Sequence, residues 1–365
     1  MVQESIKHFP IPLRKSPKVI AEGNFLVIKA MSFQDIKGQD KPIQILKEYI
    51  KHSCLIGSYL FAGEEGVGKK LVAKTLAKAL NCEGRALDSC DSCASCLKIE
   101  KGQHPDIHII ESSVTSCVNL EQGQRIEAQD SDSIKIEYIR QLQKDINLKP
   151  YEGKKKVFII DNAHNLTAEA ANALLKILEE PPADSLIILL SAKPALLFKT
   201  IISRCKMMKF YSLQRTKLEE ILKKDFHLDN NLAHYLAYSC EGRIGRVLKL
   251  KDTDILREKN SIIDAFNLVR RTGLDRLSIE NRNNVRANLN ILAGWFRDIY
   301  LIKIGTPYSE LINLDRKEEL LRLMHRYAFT DLYEILNSLS NALLYLERNV
   351  NIKLLLSNLR WSLTR

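Results

Sequence analysis

Hydrophobic and polar positions along this chain follow two periods. Short apolar runs, of the kind that fill a buried strand, stand at Ser58–Ala62 (SYLFA), Ile107–Glu111, Lys156–His164 (KVFIIDNAH) and Ser185–Ser191. Between them lie segments with apolar residues at helical spacing: Leu71–Asn81, Ile134–Leu148 and Ala168–Glu180, the last stopped by Pro181 and Pro182. Strands alternating with helices predict an α/β fold, a parallel sheet flanked by helices, from Met31 to about Tyr211. After Leu213 the strand pattern ends. Lys217–Lys224, Leu232–Cys240, Asn288–Lys303 and Leu332–Arg348 read as helices, so the remainder of the chain is expected to be helical. Residues 1–30, with Pro10, Pro12 and Pro17 among basic residues, read as a tail, not native to the folded protein if the start codon lies further on; MSFQDIKGQ at residues 31–39 reads as the beginning of the first domain.

Composition narrows this only a little. A chain of 365 residues, 45% hydrophobic and 27% charged, is long enough for two or three ordinary soluble domains. Its apolar runs, such as Leu186–Leu190, fall far short of the roughly 20 residues that span a bilayer, so no membrane is expected and the cytoplasm is the expected compartment. The net charge of +11 permits contact with nucleic acid, but the excess is spread along the chain and reads mainly as solvated surface. Lys154, Lys155 and Lys156 could touch phosphates, or simply form a charged turn before a buried strand.

The first chemistry-bearing motif is GEEGVGKK at residues 63–70, the spacing G-x-x-x-x-G-K of a phosphate-binding loop. It follows a strand and opens a helix, as that loop requires. Backbone N–H groups around Gly63, Gly66 and Gly68 would wrap phosphates, and Lys69 would reach the outer ones. The next residue should be Ser or Thr, whose hydroxyl holds Mg²⁺; here it is Lys70, whose ammonium repels a divalent ion. The second half of such a site is an apolar strand ending in acidic residues. Asp161 stands where a magnesium-supporting aspartate belongs, or is merely a strand-end turn residue. Asn162 replaces the glutamate that would activate water, and losing a general base costs about 10²- to 10⁴-fold. These departures leave ATP or ADP open as a weak ligand of the loop.

Between these strands Cys82, Cys90, Cys93 and Cys96 are spaced C-x7-C-x2-C-x2-C. Four thiolates so close, among turn-forming Gly84, Asp88, Ser89, Asp91 and Ser92, suit a closed tetrahedral Zn²⁺ site with no open position, and hence a structural one. Disulfides compete as a reading, but Cys54, Cys117, Cys205 and Cys240 are scattered singly, as in reduced proteins. His104 and His108 read as turn and surface residues, and Glu179 and Glu180 as the close of a helix. Trp295 and Phe296 read as packing residues.

The loop, HPDIHIIE (residues 104–111), KPYEGKKKVFIIDNAH (149–164), LLKILEEPP (174–182), TIISRC (200–205) and the four-cysteine insertion stand in one order. Taken together they resemble the delta-prime family of bacterial DNA polymerase III clamp-loader subunits, related to gamma and tau, closely from Met31 to Tyr211 and more loosely at LAGWFRDIYLIK (292–303). The resemblance implies an AAA+ α/β domain over 31–211 carrying the zinc insertion at 82–96, a helical lid over 212–255 and a helical collar over 256–365 that joins a five-membered ring.

It also implies roles. In motor subunits of that family the position of Lys70 keeps a hydroxyl, that of Asn162 an acidic residue, and that of Gly245, in EGRIGRVL, a nucleotide-sensing arginine. Ser191 corresponds to a nucleotide-sensing polar residue. Ser203-Arg204-Cys205 is retained, and Arg204 would be an arginine finger offered in trans to ATP on a neighbour. The implied protein is a stator working with gamma or tau and delta to place a sliding clamp on primed DNA. It would belong to a polymerase holoenzyme without ATPase activity or a polymerase site of its own. An autonomous gamma-like motor and a zinc-bearing nucleic-acid-binding module are the alternatives.

Overall fold

The computed structural model describes residues 32–111, 133–268, 281–348 and 350–363. The tail at 1–30, Met31 and Cys117 lie outside the described residues.

Five strands, β1 (Gly57–Ala62), β2 (Ile107–Ile110), β3 (Lys156–Ile160), β4 (Ser185–Ser191) and β5 (Lys206–Lys209), form one parallel sheet in the order β2-β3-β4-β1-β5. β3 and β4 are buried along their whole length and β1 at every residue but its first, which explains their continuous apolar runs. One expectation needs correction, and one strand has no counterpart among the apolar runs. The strand expected to continue to His164 stops at Ile160, because the chain turns at Asp161 and Asn162 takes a left-handed conformation, φ 50°, that asparagine tolerates well. β5 carries no apolar run at all: of Lys-Met-Met-Lys only Met208 is buried, as suits an edge strand.

Helices α1 (Asp40–Lys51) and α2 (Lys69–Asn81) cover one face of the sheet, where Leu46, Val72 and Leu76 meet Phe61, Ile159 and Ile188. After α2 come the short helix α3 (Ala94–Glu100), then α4 (Ile136–Ile146), α5 (Ala168–Glu179) and α6 (Lys199–Ile202). On the opposite face α4, α5 and α6 bring Leu142, Leu174 and Ile201 against Leu60, Phe158 and Leu189. The Thr167 hydroxyl accepts from the Ala170 N–H and starts α5.

Beyond the sheet, α7 (Arg215–Asp225), α8 (Asn230–Ser239) and α9 (Ile244–Leu250) share a small core of Leu218, Leu222, Leu236 and Val247. The rest is α10 (Ile255–Leu268), α11 (Arg282–Lys303), α12 (Lys317–Leu323), α13 (Phe329–Glu347) and α14 (Ile352–Leu363). Their core includes Trp295 and Phe296, both on α11 and both buried. No described helix is long and apolar enough to cross a membrane.

Candidate functional site

The phosphate loop leaves β1 under steric constraint. A Cβ on Gly63 would lie 2.4 Å from the Phe210 carbonyl oxygen, so no side chain fits where the chain beyond β5 passes. Lys69 opens α2, but its ammonium turns back, donating to the carbonyls of Gly63 at 2.6 Å and Glu64 at 2.7 Å. Burial lowers its pKa, opposed by Asp161, Glu65 and Glu64. To reach an anion, Lys69 has to release bonds to the loop it springs from.

Lys70 does not swing out to solvent. It lies 2.5 Å from Glu111 Oε1, just beyond β2, and 3.4 Å from Asp161 Oδ2, just beyond β3. A fixed cation thus stands between two strand ends, and a divalent ion on Asp161 has to displace it. Asp161 also accepts from the Asn162 N–H at 2.9 Å. At the end of β4, buried Ser191 accepts from the Lys193 N–H at 3.2 Å and lies 3.3 Å from His164 Nδ1. Burial lowers the His164 pKa, aided by Lys193 and Lys69 and opposed by Asp161. Glu111 and His164 close the strings HPDIHIIE and KPYEGKKKVFIIDNAH, but the sequence alone gives neither a role of its own.

The α7–α9 unit sits directly on the loop. The Gly245 N–H donates to the Gly66 carbonyl at 2.8 Å, and a Cβ on Gly245 would stand 2.8 Å from that same oxygen. Arg243 lies 3.7 Å from Glu64, and Lys249 lies 3.8 Å from Glu65. In this arrangement no side chain fits at Gly245.

Arg204 lies on the short link from α6 to β5. Its Nε donates to Glu179 Oε1 at 2.6 Å, Nη2 donates to the same oxygen, and Nη1 donates to the Thr200 carbonyl at 3.0 Å. Glu179, read from sequence only as a helix end, is the partner that fixes this guanidinium; the two are 25 positions apart, and no local pattern links them.

The four cysteines converge. Cys82 caps the end of α2, Cys93 caps the start of α3 and Cys96 lies in its first turn; the sulfurs of Cys82, Cys90, Cys93 and Cys96 all lie within 4.8 Å of one another. A tetrahedral ion with metal–sulfur bonds of about 2.3 Å would set the sulfurs roughly 3.8 Å apart, so the donor set fits a metal after slight contraction. The Cys93 N–H donates to Cys90 Sγ at 3.3 Å and the Cys96 N–H to Cys93 Sγ at 3.4 Å, bonds that favour thiolates. Burial opposes ionisation of Cys90, but the Ser92 side chain and the N–H groups of Ser92 and Cys93 outweigh it and bring its pKa to about 6. Burial pushes Cys96 up. These four residues could hold a metal ion.

Other residues fall differently from expectation. His104 and His108 are not surface residues. The His104 side chain is fully buried and its Nδ1 accepts from the Asp106 N–H at 3.1 Å, while His108 stacks on Phe158 with ring centroids 4.8 Å apart. Asp106 accepts from the N–H groups of Tyr151, Glu152 and Gly153, so HPDIHIIE and KPYEGKKK meet through one carboxylate. Lys154, Lys155 and Lys156 donate to the carbonyls of Cys82, Leu55 and Asp145, as suits a structural turn.

A phosphate loop after β1, an acidic turn after β3, a polar residue closing β4 and a helical unit seated on the loop define a phosphate-loop α/β domain. Two family models match the chain in succession: DNA polymerase III, delta subunit, over residues 38–214, and its C-terminal companion over residues 256–363. The chain belongs to this DNA polymerase III subunit family. It is 28% identical over 336 residues to the DNA polymerase III subunit delta' of Bacillus subtilis, covering 88% of this chain and 94% of that protein. It is 32% identical over 234 residues to the tau subunit of Escherichia coli, covering 62% of this chain but 33% of tau. Among solved structures, a gamma-subunit-related protein of Thermotoga maritima aligns with TM-score 0.42 at 18% identity, over 89% of this chain and 99% of that one. The RuvB branch migration motor of the same organism aligns with TM-score 0.41 at 15% identity, over 77% and 82%.

Proposed function

We propose that this chain is a delta-prime-type stator of a clamp loader, an assembly subunit that contributes to catalysis on a neighbour instead of turning over ATP itself. The observation that carries the reading is Lys70 bonded to Glu111 beside Asp161: the metal position of the chain's own site is filled by its own cation. Gly63, Gly66, Gly68, Lys69, Asp161, Asn162 and Ser191 keep the frame of a nucleotide site whose binding of ATP or ADP is weak. Arg204 is the catalytic residue, an arginine finger for ATP on an adjacent gamma or tau subunit. A guanidinium is permanently charged and forks onto phosphate oxygens, and such fingers contribute about 10³- to 10⁵-fold.

The separate cores support a division into an α/β domain at 31–211, a lid at 212–255 and a collar at 256–365. The partners are gamma or tau and delta, with the sliding clamp and primed DNA reached through the assembled ring in the cytoplasm. The metal held by Cys82, Cys90, Cys93 and Cys96 is Zn²⁺. With all four positions taken by thiolates it folds the knuckle and does no chemistry.

ATP turnover by the chain alone, and by a ring reconstituted with gamma or tau and delta, tests this reading. No turnover alone, with hydrolysis at the adjoining site falling about 10³-fold or more in the Arg204→Ala ring, is expected. Turnover by the chain alone that is lost in Lys69→Ala would make it a motor.

A further inference from the structure

Helix α2 carries Lys70, Lys74 and Lys78 at successive i, i+4 positions, on one face. Lys74 donates to Glu100 Oε1 at 2.8 Å and to the Glu100 carbonyl at 2.9 Å. Lys78 is 1% exposed and donates to Asp91 Oδ1 at 2.9 Å and Glu100 Oε2 at 3.1 Å. Asp91 belongs to the cysteine insertion, and Glu100 lies just beyond it. Glu100 ends α3, the helix whose start carries Cys93 and Cys96. Asp91 lies between Cys90 and Cys93 and accepts a second bond from the Ser89 hydroxyl at 2.8 Å.

Asp91 also adopts a left-handed backbone, φ 57°, a conformation that Asp, like Asn, enters more readily than most residues. Its carboxylate is held by a buried ammonium and a hydroxyl. A divalent ion held by four thiolates bears net negative charge, and Asp91 and Glu100 add to it. Lys78 supplies a desolvated positive charge against both.

We propose that Lys78 is a positioning residue of the cysteine cluster. By fixing Asp91 and Glu100 it sets the C-x2-C turn and the start of α3 in the geometry that presents Cys90, Cys93 and Cys96 to the metal, and it offsets the charge of the loaded site. The inference rests on the reading of the cluster as a metal site. Outer partners of this kind typically contribute about 10- to 100-fold to metal affinity.

The test uses the full chain, loaded with Co²⁺ for the absorption of a tetrahedral tetrathiolate site and with Zn²⁺ in competition with a chromogenic chelator. Lys78→Met is expected to weaken Zn²⁺ by about 10- to 100-fold and to shift the cobalt d–d bands. Asp91→Asn should weaken it in the same direction. The double variant should lose less than the sum of the two single losses, because the two residues share the Lys78–Asp91 bond. Lys98→Met, on the outer side of α3 and paired with Glu152 at 2.6 Å, should keep wild-type affinity and spectrum. Wild-type affinity in Lys78→Met, or additive losses in the double variant, overturns the proposal. If Lys78→Met does not fold, Asp91→Asn against Lys98→Met carries the comparison, and equal affinities overturn it. Absence of thiolate-to-cobalt absorption in the wild-type chain removes the metal reading itself, and this inference with it.

Discussion

The phosphate loop and the rim around Arg204 hold their cations in different ways. At the loop the Lys69 ammonium is bonded to two carbonyls of its own turn, and Lys70 is set between Glu111 and Asp161. At the rim the Arg204 side chain is 32% exposed, and one carboxylate oxygen and one carbonyl take three of its N–H bonds. An ammonium is a compact charge that a few carbonyls can satisfy. A planar guanidinium can be anchored along one edge and still present donors on the other. The same molecule therefore turns the Lys69 ammonium inward onto its own loop and leaves the Arg204 guanidinium anchored yet partly exposed.

The strongest way to break that contrast is to force the α7–α9 unit from the loop. Gly245→Arg puts a Cβ 2.8 Å from the Gly66 oxygen, and overpacking of this kind costs about 1–3 kcal/mol. The midpoint of thermal unfolding should fall accordingly, while an unchanged midpoint would mean that the contact between Gly245 and Gly66 does not hold in solution. A smaller effect comes from His164, partly buried and crowded by Lys193 and Lys69. Its folded pKa is lowered, so below its unfolded value of about 6.5 the unfolded chain takes up a proton that the folded chain resists. The stability tied to this group is full above that pH and is lost as pH falls through it. His164→Gln should flatten the loss measured by denaturant titration between about pH 7.5 and pH 5.5. His104 and His108, lowered in the same direction, are common to both proteins and drop out of the difference. Equal slopes in the two proteins would show that the loop does not disfavour charge on His164.

The smallest effect sharpens the comparison most. Lys70→Thr restores the hydroxyl of a working loop and removes a partly exposed ion pair, worth less than about 1 kcal/mol. We expect near-unchanged stability and no gain of tight Mg–ATP binding by calorimetric titration, because Lys69 remains tied to Gly63 and Glu64. Tight binding in this variant would make Lys70 the sole defect of the loop.

Much of the α/β domain was legible because burial on both faces writes strands as apolar runs: β1, β3 and β4 begin within a residue of where those runs begin. The cysteine cluster was legible from spacing. What escaped depends on pairings distant in sequence. A lysine such as Lys78 reads as solvent-facing until the cysteine insertion folds over α2, and Glu179 reads as a helix end until α6 brings Arg204 beside it. His104 and His108 were misjudged because Pro105 and Asp106 suggest an exposed turn, whereas the Asp106 carboxylate is consumed by three backbone N–H groups.

β5, the strand hardest to see in the sequence, carries a consequence for the chain before it meets any partner. It borders the sheet, and a border strand is a template on which another chain can zip and precipitate. Lys206 and Lys209, both exposed, set charge along that margin, and Lys206 also lies over the Tyr59 ring at 5.5 Å. A second copy docking its own β5 there would bring ammonium against ammonium. The pattern that hid the strand from hydropathy is thus a safeguard against self-aggregation during the interval between synthesis and assembly.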